Sequence, residues 1–282
     1  MQRSEAILKA THILYNSGQD SCKLSAELIL AYVLGCTRLD LLMYDKVEIA
    51  SEDLEAYQKL IESRSQGEPL AYILGEREFY GLPFKVTQDT LIPRPETELL
   101  VDLVLALFPD DLPLFFADLG TGSGNIGLSL VNFRQNWRGF LLDKSLAALK
   151  VAQENAINLN LAWKVTLILA TFLDPPMKSA SLDFIVANPP YIALAEKDTV
   201  MPDVLSYEPK RALFSPNQGL YHLTACVKAS QRLLHPGGYL LVEHGASQGD
   251  QVREIFKRHN FSHIKTESDL AGRDRVTWGA KS

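Results

Sequence analysis

Asp118-Leu119-Gly120-Thr121-Gly122-Ser123-Gly124-Asn125, running on into Ile126-Gly127-Leu128-Ser129-Leu130, decides the fold. An apolar run over Leu114 to Ala117 precedes it and reads as a strand, and helical spacing follows it. Glycines at 120, 122 and 124 let the backbone turn sharply and approach a ligand where a Cβ would intrude. Strand, glycine-rich turn and helix in that order open an α/β sheet, and such sheets bind ligands just beyond the C-terminal edge of their strands.

The glycine spacing narrows the ligand. A dinucleotide loop would read G-x-G-x-x-G, with a pyrophosphate on the helix N-terminus. Here the spacing is G-x-G-x-G, which argues against a nicotinamide dehydrogenase, and the acid Asp118 before it suits a ligand with a cationic amino-acid portion and no phosphate. Asp143 ends the next apolar run, 19 residues past Gly124, about the distance at which a carboxylate meets ribose hydroxyls in such folds. A nucleoside ligand follows, and Phe172, after the third strand, offers a ring for its base.

Working outward, the remainder of the chain alternates strand with helix. Strands are expected at Leu114 to Ala117, Gly139 to Leu142, Val165 to Leu169, Leu182 to Ala187, Tyr239 to Glu243, Phe261 to Thr266 and Val276 to Gly279. Helices are expected at Ile126 to Asn132, Ser145 to Asn158, Leu220 to Leu234 and Gln248 to Asn260. That alternation predicts a mostly parallel α/β sheet with helices on both faces. Upstream, apolar positions at helical spacing (Ile7, Leu8, Ile13, Leu14; Leu28 to Leu30, Tyr32, Val33; Leu54, Tyr57, Leu60, Ile61) predict a small helical bundle. Between the two, Glu-Arg-Glu-Phe-Tyr-Gly-Leu-Pro-Phe-Lys-Val (76–86) reads as a hairpin about a Gly-Leu-Pro turn. The expected organisation is a helical domain at 1–72, a hairpin linker at 73–92 and a catalytic domain at 93–282.

Composition bounds the partners. A net charge of −6 with no run of Lys and Arg disfavours a nucleic-acid substrate. No segment reaches the apolar length of a membrane span, and the opening MQRSEAILKATHILYNSG has an acid and helical spacing where a secretory signal needs an unbroken apolar stretch, so the cytoplasm is expected. Cys22, Cys36 and Cys226, with no CxxC pairing, suggest buried thiols and neither a disulfide framework nor a zinc cluster. His259 and His263 have i, i+4 spacing, but the strand expected from Phe261 separates them, so no metal is expected.

The chemistry is carried by Asn188-Pro189-Pro190-Tyr191, directly after the apolar strand ending at Ala187. Two prolines stop the strand and stiffen the backbone, so that the Asn188 side chain and the Pro189 carbonyl can be held toward the ligand crevice. A carboxamide oxygen and a backbone carbonyl are both acceptors and together match the two hydrogens of an NH2 group. Such an arrangement favours a pyramidal nitrogen and stabilises the positive charge that develops on it during alkylation, while Tyr191 adds an aromatic face for a planar acceptor. Residue chemistry leaves open whether the NH2 belongs to an amide or to an adenine or guanine base. A noncatalytic module on the same fold is the other alternative, and it would be marked by a broken glycine loop or loss of Asn188.

Beyond these motifs, the chain from about Leu24 to Thr277 resembles the family of peptide chain release factor glutamine methyltransferases, the HemK type. Three blocks carry the resemblance: Gly67-Glu68-Pro69-Leu70-Ala71-Tyr72-Ile73-Leu74-Gly75 continuing through 79–86 to Ile92-Pro93-Arg94-Pro95-Glu96-Thr97-Glu98; the glycine loop from Asp118; and Asn188-Pro189-Pro190-Tyr191-Ile192. The second and third occur in many amino-methyltransferases, and the Ile92 to Glu98 block is the discriminating one. The resemblance implies a class I methyltransferase domain with a Rossmann-like, mostly parallel seven-stranded sheet, a small N-terminal helical domain that contacts the release factor, and a β-hairpin linker. It implies S-adenosyl-L-methionine (product S-adenosyl-L-homocysteine) bound by Gly120, Thr121, Gly122, Ser123, Gly124, Asp143, Phe172 and Asn188. The acceptor it implies is the glutamine of a Gly-Gly-Gln tripeptide in class I release factors, held by Asn188, Pro189, Pro190 and Tyr191. Thr171 departs from the acid usual before the aromatic residue. Arg94 and Glu96 are expected either to shape the cleft or to start a helix, and Glu243, His244 and Gly245 are expected to be structural.

Overall fold

A computed structural model describes residues 1–108 and 112–282, and the chain divides into two compact units, Met1–Glu76 with Met201–Tyr207, and Arg77–Val200 with Glu208–Ser282. Among the described residues no helix is long and apolar enough to cross a membrane.

The first unit comprises helices α1 (Arg3–Asn16), α2 (Cys22–Leu34), α3 (Arg38–Met43), α4 (Ser51–Ser65) and α5 (Leu70–Leu74). Its core joins Ala6, Ala10 and Leu14 of α1 to Ala26, Ile29 and Leu30 of α2 and Tyr57 and Ile61 of α4. The face of α1 differs from expectation, because Leu8 is 57% and Ile13 50% exposed. Ala6 and Ala10 are small enough to bring backbones close, so the buried stripe runs through the alanines to Leu14, and Leu8 and Ile13 are left outside. Cys22 and Cys36 are half-buried and only Cys226 is fully buried, which corrects the reading of three buried thiols.

The second unit begins at Arg77, within the hairpin of β1 (Glu76–Phe79) and β2 (Leu82–Lys85). Its turn lies at Tyr80-Gly81, both with positive φ (52° and 73°), instead of at Gly-Leu-Pro. Two consecutive left-handed residues suit the right-handed twist of a two-residue hairpin turn, and Pro83 is tolerated because the ribbon is all edge. The main sheet holds β3 (Phe115–Leu119), β4 (Arg138–Asp143), β5 (Val165–Leu169), β6 (Leu182–Ala187), β9 (Leu234–Glu243), β10 (Phe261–Ser268) and β11 (Asp274–Lys281), with a small pair β7 (Ile192–Ala193) and β8 (Phe214–Ser215) outside it. Helices α6 (Glu98–Leu107), α7 (Asn125–Phe133), α8 (Leu146–Asn158), α10 (Lys210–Leu213), α11 (Leu220–Leu233) and α12 (Gly249–Arg258) connect them, and α9 (Pro202–Tyr207) belongs to the first unit.

Among the described residues the sheet has seven strands in the order β10-β11-β9-β6-β3-β4-β5. Only β11 runs against its neighbours β9 and β10; the pairs β3·β4, β3·β6, β4·β5 and β6·β9 are parallel. Alternate residues feed two cores. Phe116, Phe184, Val186 and Leu241 face one, with Phe116 and Phe184 stacked at 4.8 Å, while Ala117, Ile185, Ala187 and Leu240 face the other. Burial on both faces explains why these strands read as near-continuous apolar runs.

The order reverses beside β3: the chain steps outward through β4 and β5, then returns to the other side of β3 with β6. Loops leaving β3 and β6 therefore diverge at a topological switch point, which opens a crevice at the C-terminal strand ends. Residues 120–124 and 188–191 are those two loops.

Candidate active site

The loop after β3 is laced to β4. Gly120 N and Thr121 N both donate to Leu142 O at 2.8 Å, Gly122 N donates to Asp143 Oδ2 at 3.0 Å, and Gly124 N donates to Thr121 O at 2.8 Å. Gly124 has φ +83°, and a Cβ there would lie 2.9 Å from Leu128 Cδ1 and 3.3 Å from Ala152 Cβ, so a side chain would be both strained and crowded. Asp118 is fully buried, accepts from Thr121 Oγ1 (2.7 Å) and Gly127 N (3.0 Å), and leaves Oδ1 without a partner. Burial pushes its carboxyl up to about 6, against the opposing hydrogen bonds from Thr121 and Gly127. It does not line the cleft, so its work is to tie the loop to the first turn of α7, where the sequence suggested attraction of a cation.

Asp143 closes β4 and does line the cleft. Its Oδ2 holds Gly122 N and its Oδ1 accepts from Ser145 N at 2.8 Å. Each carboxylate oxygen carries two lone pairs, so one on each remains for hydroxyl donors. The Phe172 ring is packed near Gly120, meets His222 edge-on at 5.5 Å, and borders the same cleft. Burial moves the His222 pKa down.

On the opposite wall, Asn188 follows β6 and its Nδ2 donates to Thr97 Oγ1 at 3.1 Å. Thr97 belongs to the Ile92 to Glu98 block, and the rest of that block proves to be a buttress. Glu208, 4% exposed, accepts from Ile92 N at 3.1 Å and from Arg94 Nη2 at 2.5 Å, and Glu98 accepts from Tyr80 N at 2.8 Å. Pro95–Thr97 also forms a 3-10 turn, with Pro in its first residues, that leads into α6, so both readings of the block hold together. Glu96 is exposed and stands outside the cleft lining.

A single cleft of about 840 Å³, including solvent at its mouth, brings together Gly120, Thr121, Gly122, Ser123, Asp143, Phe172, Asn188 and Pro190 with Pro93, Arg94 and Thr97. Gly124, Pro189 and Tyr191 are not among its lining residues. Tyr191 instead donates its hydroxyl to Glu243 Oε1 at 3.2 Å, and burial together with that carboxylate pushes its phenol well above the usual range. Its backbone carbonyl accepts from Gln248 Nε2 at 3.0 Å, and Gln248 also holds Gln218 O and Gly245 N. Thr97 and Glu243 were missed as site residues. A signal for the second was present, since an acid inside the apolar strand Leu240-Leu241-Val242-Glu243 is rarely buried without a specific partner. His244 is buried and bonds Thr277 Oγ1 at 2.8 Å, a structural role. His259 Nδ1 bonds Ile255 O, and among the described residues no His, Cys, Asp and Glu cluster could hold a metal ion.

A seven-stranded sheet with one reversed strand, a glycine turn after β3, a carboxylate closing β4 and Asn-Pro-Pro-Tyr after β6 defines a class I S-adenosyl-L-methionine-dependent methyltransferase, and residues 116–278 match the family model described as a methyltransferase domain. Residues 5–75 match a second model, the PrmC N-terminal domain. The chain is 38% identical over 277 residues to the release factor glutamine methyltransferase of Buchnera aphidicola subsp. Acyrthosiphon pisum, covering 98% of this chain and 96% of the relative. It is 39% identical over 279 residues to that of Vibrio cholerae serotype O1, covering 98% and 96%, and 37% identical over 265 residues to that of Nitratidesulfovibrio vulgaris, covering 93% and 90%. The chain belongs to the release factor glutamine methyltransferase family. Its cleft fits the cofactor of that class, offering spare carboxylate acceptors on Asp143 for ribose hydroxyls and the Phe172 ring for the base.

Proposed function

We propose that this protein methylates the side-chain amide nitrogen (N5) of the glutamine in the Gly-Gly-Gln tripeptide of class I release factors, in the cytoplasm, and so modulates translation termination. The observation that carries this reading is that Asn188 lines the same cleft as the glycine loop, Asp143 and Phe172. In it, Gly120 to Ser123, shaped by Gly124, would seat the amino-acid portion of S-adenosyl-L-methionine, Asp143 its ribose and Phe172 its base. When bound, the cofactor supplies an electrophilic methyl carbon.

The chain's own residues supply position and charge stabilisation. An amide lone pair is delocalised and weakly nucleophilic, so the task is to hold the nitrogen with its lone pair aimed at the methyl group. Asn188 Oδ1 and the Pro189 carbonyl accept the two amide hydrogens and favour the pyramidal geometry. They would also stabilise the positive charge that develops on the substrate nitrogen as it takes the methyl group from the cofactor, which would leave as S-adenosyl-L-homocysteine. The nitrogen then sheds one proton to water, and no strong base is required because the methylated cationic nitrogen is acidic. Tyr191, anchored on Glu243 through its hydroxyl and on Gln248 through its carbonyl, keeps the motif rigid.

Incubation with labelled S-adenosyl-L-methionine and separate release-factor and nucleic-acid pools, followed by mass spectrometry, tests the reading. Label is expected on the Gly-Gly-Gln glutamine; label on nucleic acid alone overturns it. Asp143→Ala is expected to weaken S-adenosyl-L-homocysteine binding at least tenfold, because bonds to a charged acceptor contribute about 1.5–3 kcal/mol each. Calorimetry giving an unchanged Kd would remove Asp143 from the cofactor site.

A further inference from the structure

We infer that Asn155 is a positioning residue for the cofactor: its carboxamide ties the glycine loop to the hairpin, so that cofactor affinity depends on a strand outside the cleft lining. The inference rests on the cofactor seat proposed above and adds a supporting contact to it.

An asparagine near the C-terminal end of α8 needs a reason. It is a weak helix former, because its side chain competes for main-chain hydrogen bonds, and it is 1% exposed among Ala148, Leu149, Val151, Ala152 and Ala156 on the buried face of the helix. A buried carboxamide is costly unless both of its ends are bonded. Here they are. Nδ2 donates to Ser123 O at 2.8 Å and to Lys85 O at 3.0 Å, and Oδ1 accepts from Lys85 N at 2.7 Å. These partners also fix which way round the amide lies, since the flipped form would set its oxygen against two carbonyls.

Toward β2, Asn155 exchanges both hydrogen bonds with the main chain of Lys85, the two-point pairing a further strand would make, and so closes one side of a two-stranded ribbon. Toward the loop, it holds the carbonyl of Ser123, a residue that lines the cleft. One turn earlier on the same helix face, Ala152 leaves Gly124 no room for a side chain, an added Cβ coming within 3.3 Å. Helix α8 therefore grips the loop at two consecutive turns, once by close packing and once by a hydrogen bond. Gly120, Thr121 and Gly122 bond β4 through their N–H groups, whereas the Asn155 bond joins the loop to the hairpin. From Lys85 the chain runs through a turn closed by Thr90 N to Thr87 O at 3.0 Å and on to Leu91, Pro93, Arg94 and Thr97 of the cleft. Neither Lys85 nor Asn155 is among the lining residues.

Calorimetric Kd values for S-adenosyl-L-homocysteine, taken well below the Tm of each variant, test the joint. Lys85→Pro deletes the N–H that Oδ1 accepts, and because that N–H is spent on Asn155, no ladder bond is lost with it. Lys85→Ala keeps the N–H and loses only the exposed ion pair to Glu154. Lys85→Pro is expected to raise the Kd about threefold to tenfold, the scale of one neutral hydrogen bond, and Asn155→Ala by about tenfold or more. Lys85→Ala should stay within about twofold, since exposed ion pairs contribute little. Combining Lys85→Pro with Asn155→Ala should add less than about twofold, because both changes cut the same link. A lowered Tm with an unchanged Kd would mark a merely structural role and overturn the joint, as would losses that add in full; should one of the two variants fail to fold, the other decides. Asp143→Ala run alongside separates the two readings. An unchanged Kd in that variant means the cofactor seat itself is wrong, whereas a weakened Asp143→Ala beside Lys85→Pro and Asn155→Ala that bind normally removes the joint alone.

Discussion

Asn188→Ala is expected to lower kcat for release-factor methylation by about two to three orders of magnitude, the range found when one preorganised group facing developing charge is removed, while S-adenosyl-L-homocysteine binds nearly as before. The reason is the division of labour within the cleft. In the proposed reading cofactor contacts fall to the loop after β3, to Asp143 at the end of β4 and to Phe172, whereas Asn188 lies on the loop after β6 in the same cleft. The sheet itself is untouched by the truncation, and the loop keeps its Tyr191 to Gln248 and Tyr191 to Glu243 bonds. Single-turnover rates with saturating cofactor, paired with calorimetric Kd values on the same preparation, check this. A variant that turns over at the normal rate would discard the mechanism.

The second large effect belongs to a residue outside the lining. Gly219 sits at φ +84° just before α11, and a Cβ on it would lie 2.0 Å from Tyr191 O and 2.5 Å from Gln248 Nε2. The obstacle is backbone, which cannot swing aside. Gly219→Ala must therefore displace the Tyr191 carbonyl and break the Gln248 bond that ties residues 191, 218 and 245 together. Left-handed strain of about 1–2 kcal/mol adds to an overpacking cost of about 1–3 kcal/mol, which lowers Tm by roughly 5–15 °C for a chain of this size. Activity should fall further than stability explains, since the displaced carbonyl belongs to the acceptor motif. A thermal melt within 1 °C of wild type, taken with unchanged turnover, would show that the loop has slack the structure does not display.

How much of this was legible in the sequence depended on whether the physics was local. The central strands β3 and β6 were, because burial on both faces writes an apolar run whatever the partners are. Helix α8 was equally legible, with Ser145 accepting from Ala148 N as its cap. The bounds slipped where the chain continues a strand through turn-like residues, as in β9, which starts at Leu234 and carries Pro236, Gly237 and Gly238 within it. On α1 periodicity misled, because close packing of Ala6 and Ala10 counts for more than the hydrophobicity of Leu8 and Ile13. The glycine loop, Asp143 and Asn188 were legible since each motif follows its own strand. Thr97 and Glu243 were not, because Thr97 reaches Asn188 across 91 positions of chain, and only the topology of the sheet makes them neighbours.

The lacing of the loop after β3 bears on competition inside a cell. Backbone N–H groups at 120, 121, 122 and 124 are already committed to Leu142, Asp143 and Thr121, whereas nucleotide-binding loops keep such groups free to cradle anions. Abundant nucleoside triphosphates and dinucleotides share adenosine with the cofactor, yet their charged tails would find these four main-chain donors already spent and the Asp143 carboxylate beside them. Discrimination among adenosine compounds is thereby built into main-chain geometry, where side-chain substitution reaches it least.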